Sequence, residues 1–353
     1  MIMQEMGSHQ NRSNLSKICH NTGDRSRRVT EEDEMKENEF TSWLLNASSP
    51  SIRYQCLADL IGYPAGEPRL VQARREIMTG GAVPAILDHQ SEDGSWEGER
   101  SYYTPKYFSS HWSMLLLTEL CVDGNDVRFQ AGARHMLDAT EKELQKNLDA
   151  HGHGWACFYG NLLRYVLHAG MEEDARTAKV IHFLCHDLLD SNCWCVHNGE
   201  TPCAWGVARA IWGLAAIPSG RQSPEVTGAI KSGIKFLLDS FQLVKADYPT
   251  HQKGEVSPIW FKLNFPLFYQ SDILFVLRGL DEFSLLDHPG AQAALDWLEQ
   301  KRGADGRWKG SSPFRQRTWR ELGNREETER WVSLQASRIL IHAGRDPEAD
   351  RFG

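Results

Sequence analysis

One pattern constrains this chain more than any other. Apolar segments of helical spacing follow one another almost without a break, and alternating strand patterns are nearly absent. Residues 37–45, 51–61, 83–88, 111–120, 129–138, 157–168, 177–189, 204–216, 226–239, 272–280, 291–300 and 331–342 each predict a helix. Between them stand Gly, Pro, Asp and Asn, which stop helices and make turns.

Two linkers share a design: QSEDGSW at 90–96 and KRGADGRW at 301–308. In each, a helix ends, an Asp-Gly turn follows and a Trp anchors the next loop. Asp tolerates the turn, Gly takes the positive φ and the indole docks on adjacent helices. Inner helices are expected to begin near Lys106, Ala156, Cys203, Gln270 and Glu329, a period of roughly 50 to 65 residues. A helical hairpin cannot bury both faces alone, so its neighbours must stack. Closing the stack on itself gives an all-α toroid of about five or six hairpins around an apolar cavity. An open solenoid is the alternative, although its periods are shorter.

The expected domain runs from 36 to 345, between a polar tail at 1–35 and a short tail at 346–353. A net charge of -8 argues against nucleic acid as a partner, because phosphate binding needs a dense basic surface. The longest apolar runs fall far short of a membrane span, and the first residues lack the apolar core of a signal peptide, so a cytoplasmic location is expected. Twelve tryptophans suit either a large core or a chamber for a greasy ligand.

The DGSW and DGRW loops, with the segments PAILDHQSEDGSW (84–96), CFYGNLLRYVLHAG (157–170), CAWGVARAIWGLAAIP (203–218) and FPLFYQSDILFVLRGL (265–280), resemble the repeats of squalene cyclases and protein prenyltransferase β subunits. The resemblance spans roughly 45–343 and concerns architecture more than activity. It implies a double ring of helices with an apolar chamber for an isoprenoid. The chain has the length of one such domain, where full triterpene cyclases have two. It contains neither the DxDD acid motif nor a convincing diphosphate motif, and Glu172–Glu173–Asp174 reads as a charge cluster at a helix start.

Candidate chemistry falls on two constellations. Cys157, Cys193, Cys195, His197 and Cys203 are soft donors, and zinc takes about four such ligands. Starts of helices favour thiolates at Cys157 and Cys203. Cys203 stands where the prenyltransferases carry a zinc-bound cysteine, but their Asp two positions earlier is Thr201 here. Buried hydrophobic thiols are the alternative reading.

Asp272 is the single acid in a strongly apolar stretch at a helix start. It reads as a catalytic acid, as a metal ligand, or as a helix cap. Around these, His111, Trp112, Asn161, Arg164, Trp260, Phe265, Phe268 and Tyr269 are candidates for lining a substrate chamber, and aromatic faces there would stabilise a carbocation.

The expectation is an isoprenoid-handling enzyme, terpene cyclase-like or zinc-dependent prenyltransferase-like. A non-catalytic toroid binding a lipid or partner protein is the alternative. A helical partner subunit and a homo-oligomer are both compatible with the sequence.

Overall fold

A computed structural model describes residues 38–250 and 255–345. The expected tails at 1–35 and 346–353 lie outside the described residues. Local signals set most helix starts. Asp126 accepts from the N–H groups of Arg128 (2.9 Å) and Phe129 (3.3 Å), Asp174 from Arg176 (2.8 Å), Ser223 from Val226 (3.2 Å) and Asn324 from Glu327 (3.1 Å). Each satisfies amides that a helix start leaves without partners.

The described residues are mostly helical. The helices are α1 (Glu39–Leu45), α2 (Pro50–Gln55), α3 (Pro68–Thr79), α4 (Ala82–Leu87), α5 (Ser110–Glu119), α6 (Val127–Asp149), α7 (Ala156–His168), α8 (Ala175–Ser191), α9 (Ala204–Ala215), α10 (Pro224–Ile234), α11 (Ile273–Glu282), α12 (Pro289–Gln300) and α13 (Arg325–His342). Single π-helical turns extend α2 (Cys56–Leu60) and α10 (Lys235–Ser240). The sheet among the described residues is one antiparallel ribbon, β1 (Trp194–Cys195) with β2 (Thr201–Pro202).

Sequence reading missed α3, whose charged residues hide its period. Its signals were a cap from Glu67, Pro68 in the first turn, and buried Leu70, Ala73 and Ile77 on one face. The expected helix starts at Lys106, Gln270 and Glu329 fall instead at Ser110, Ile273 and Arg325.

Both Asp-Gly loops form as expected. Gly94 (φ +84°) and Gly306 (φ +78°) take left-handed backbone. The Trp96 indole N–H donates to the Ile86 carbonyl (2.9 Å) and that of Trp308 to the Leu298 carbonyl (2.8 Å). In each case the acceptor lies ten residues back, in the last turn of the preceding helix.

Packing follows two series. In one, α5 packs on α7, α7 on α9, α9 on α11, α11 on α13 and α13 on α2. Ser51 Oγ on α2 then donates to the Leu120 carbonyl just beyond α5 (2.7 Å). These helices are buried on nearly every side, α5, α7, α9 and α11 most completely. In the other series, α3, α6, α8, α10 and α12 lie against them, more polar and half exposed. The α7–α9 pair is the tightest. A Cβ at Gly213 would stand 2.5 Å from the Gly160 carbonyl oxygen, so the backbones touch where both helices carry glycine.

Candidate functional site

The loops entering α5, α7, α9 and α11 bring one aromatic cluster together at the starts of those helices. Tyr103 lies 4.7 Å from Trp112 and 6.2 Å from Phe158, ring centre to ring centre. Phe268 lies 4.5 Å from Tyr107 and 5.5 Å from Trp112. Tyr269 completes the group, 6.1 Å from both Trp112 and Trp205. The exposed Lys106 reaches across it. Its ammonium stands 5.5 Å from the Tyr103 ring centre and 5.2 Å from that of Tyr269. Two aromatic faces therefore look onto one cation position, which is electrostatically favourable because each face is the negative side of a quadrupole.

His111 sits beneath, fully buried, with its ring stacked 4.3 Å from Phe158 and Nδ1 3.2 Å from the Tyr165 hydroxyl. Burial pulls its pKa down to about 3, so the imidazole is neutral near pH 7. Its Nε2 has no hydrogen-bond partner.

Deeper between the helices the interior is charged. The Asn161 amide donates to the Phe268 carbonyl (2.9 Å) and accepts from Arg209 (3.2 Å). Arg209, 1% exposed, also donates to the Gln270 carbonyl and lies 3.9 Å from the Phe275 ring centre. Burial lowers its pKa to about 9, which still leaves it charged near neutrality. Arg164 pairs with Glu282, and Arg278 with Glu119 (2.8 Å). Sequence reading missed Arg209. The signal was the one that flagged Arg164: a lone guanidinium inside an otherwise apolar helix.

Asp272 has the contacts of a cap. One oxygen accepts from the Phe275 N–H (2.7 Å), the other from the backbone N–H and side-chain amide of Asn264 (2.9 Å each). Burial raises its pKa to about 6 against those hydrogen bonds. Trp260 and Phe265 stand apart from the aromatic cluster. The Trp260 indole donates to the Leu243 carbonyl (2.8 Å) beside Tyr248, and Phe265 stacks on Trp331 at 4.1 Å.

The thiols gather in part. Cys157 is the second residue of α7, Cys195 ends β1 and Cys203 caps α9; all three are half-buried neighbours. Cys195 is held below the ordinary thiol range, at about 6, chiefly by a hydrogen bond from Cys203. The N–H groups of His197 and Asn198 add to it against the effect of burial. The expectation that a helix start would favour the thiolate is reversed at Cys157, where burial pushes the pKa up to about 12. Burial likewise raises Cys193 well above its usual value. His197 is exposed, 6.2 Å from the Trp155 ring centre. Among the described residues no group of three or more His, Cys, Asp or Glu side chains is arranged to hold a metal ion. The zinc expectation draws no support from this geometry, and no chemical step here is routed through a metal.

A hollow of about 970 Å³ lies elsewhere, between Trp43, Phe261, Arg307, Trp308 and the first turn of α13. No described helix is long and apolar enough to cross a membrane. Compared with family models, with curated proteins and with solved structures, the chain matches none.

Proposed function

We propose that the chain is a closed α/α toroid that handles an isoprenoid at the end where its buried helices begin, with chemistry of the terpene-cyclase kind. Closure is supported by the helix neighbours running from α5 round to α2, and by the Ser51–Leu120 hydrogen bond that returns to the start. One observation carries the function: the Lys106 ammonium already occupies a position faced by Tyr103 and Tyr269. A carbocation formed on a prenyl chain would meet the same two faces once the exposed lysine swings out. Trp112, Phe268 and Trp205 supply the apolar wall around it. The ligand stays at this end, because Arg209 and the two buried ion pairs fill the interior beyond.

Incubation with farnesyl and geranylgeranyl diphosphates, followed by product analysis, tests the reading. Turnover that falls in Tyr103→Leu and Tyr269→Leu is expected. Neither binding nor turnover of either diphosphate by the native chain would end it.

A second reading, a non-catalytic toroid that binds a lipid or partner, is favoured by the charged filling of the interior. It predicts binding of an apolar ligand without any product. Metal analysis of the purified chain decides whether zinc joins either reading.

A further inference from the structure

We infer that the loop after the second Asp-Gly turn and the first turn of α13 form a binding site for the phosphate group of a small organic phosphate, held by Arg315, Arg317 and Arg325. The inference stands apart from the isoprenoid reading, because neither Tyr103 nor Tyr269 lines this hollow.

Positive charge is concentrated here. Residues 301–317 carry six Lys or Arg against one acid, Asp305, in a chain of net charge -8. A hollow of about 350 Å³ lies between this loop and the start of α13. Its charged lining is Arg315, Arg317 and Arg325 without a carboxylate, and Ser312 and Gln316 add neutral donors. Phosphate oxygens accept paired N–H bonds from the flat guanidinium fork, so three forks around one concavity suit that anion.

Neutral contacts set the loop arginines in place. Gly310 lets the loop lie on α13, where an added Cβ would stand 2.9 Å from the Thr328 carbonyl oxygen. Arg315 donates to the Thr328 hydroxyl (2.7 Å). Phe314 anchors the turn, buried 4.7 Å from the Tyr107 ring centre and 5.6 Å from that of Phe268. The Arg317 guanidinium lies 5.0 Å from the same Tyr107 ring. Among the described residues neither Arg315 nor Arg317 pairs with a carboxylate, so both charges stand uncancelled. Arg325 does pair, with Glu329 at 2.9 Å, but its side chain is 70% exposed, where such a pair is weak.

Two other hollows mix both signs. The one on α6 holds Lys142, Lys146 and Lys179 beside Asp138, Glu141 and Asp149, with Lys179 already 3.2 Å from Glu141. The hollow of about 970 Å³ sets its lysines and arginines against Asp305, Glu326 and Glu329. That larger hollow shares Gly310 and Arg325 with the arginine-lined one. The phosphate site therefore adjoins room for an organic body beside Phe261.

Titration calorimetry of the full chain at low salt, with pyrophosphate and adenosine diphosphate as probes, tests the site. Both should bind saturably, and added sodium chloride should weaken both. Arg315→Met and Arg317→Met should each lower the affinity by about 10-fold or more, the effect of one charged hydrogen bond. Arg317 is exposed, so its replacement probes the site without disturbing the fold. Arg317→Lys should recover part of the affinity, keeping the charge without the fork. No saturable binding, binding of pyrophosphate alone, or unchanged affinity in Arg317→Met would each overturn the inference. So would attachment to phosphatidylserine vesicles with neither soluble probe bound.

Discussion

Arg164 on α7 and Glu282, the last residue of α11, meet through two hydrogen bonds of 2.6 and 2.9 Å, with the guanidinium 4.6 Å from the Trp212 ring centre. Their side chains are only 5% and 13% exposed, so each neutralises a charge that water no longer reaches. Removing one partner leaves the other's charge less fully compensated in a site with little water. Arg164→Met or Glu282→Gln is expected to cost about 3–5 kcal/mol, whereas replacing both with apolar residues costs less than the sum. Urea unfolding of the two single variants and the double variant checks this. Simple additivity would mean that the pair is not coupled.

Asp272 makes stability depend on pH in a defined direction. Burial raises its pKa from 3.8 to about 6, so the folded chain holds the proton more tightly than the unfolded chain. The stabilisation from protonation is complete below the unfolded value and is lost as pH rises through about 6. At 1.36 kcal/mol per unit, this amounts to about 3 kcal/mol. The native chain's advantage over Asp272→Ala should shrink by about that much between roughly pH 4 and pH 7, then level off. Urea midpoints across the range measure it. An advantage that grows with pH would show the carboxylate stabilised as an anion.

The two indole anchors make matched hydrogen bonds, so Trp96→Phe and Trp308→Phe are expected to cost similar amounts, about 1–3 kcal/mol each, because each leaves a carbonyl without its donor. Gly94→Ala should be worse than Trp96→Phe. Its φ of +84° disfavours a side chain, and the new Cβ would lie 2.5 Å from the Ala131 carbonyl oxygen. Thermal unfolding of the three variants ranks them.

The aromatic pair at Lys106 predicts affinity for a ligand cation. A tetraalkylammonium ion should bind more tightly to Lys106→Met than to the native chain, since the resident ammonium no longer competes. Adding Tyr269→Leu should weaken that binding by roughly 2- to 30-fold, the range of one cation–π contact. Quenching of tryptophan fluorescence reads the affinity. Equal affinity in all forms would remove the cation role from these rings.

Much of the helix order could be read directly from residues. The Asp-Gly-x-Trp loops foretold both indole anchors, and Asp174 forms the helix-start contact expected of its acidic cluster. His111, Trp112, Phe268 and Tyr269 lie close together, because each stands at or just before a helix start on the same end of the fold. Trp260 and Phe265 do not join them. Nothing in an aromatic residue's identity says which neighbouring helix it will face. Arg209 was missed because a buried guanidinium in an apolar run looks like an anomaly until the carbonyl that receives it, Gln270, is in view.

The sequence alone determined most of the helices, α3 excepted, together with the glycine-dependent turns, because those depend on neighbours within a few residues. Only the tertiary structure decided how charges and thiols behave. Arg164 finds Glu282 across 118 positions of chain. Cys157 and Cys195, both close to polar backbone, are driven to opposite ends of the thiol range by burial in one case and by a neighbouring sulfur in the other. Ionisation answers to surroundings in three dimensions, and those exist only once the helices have packed.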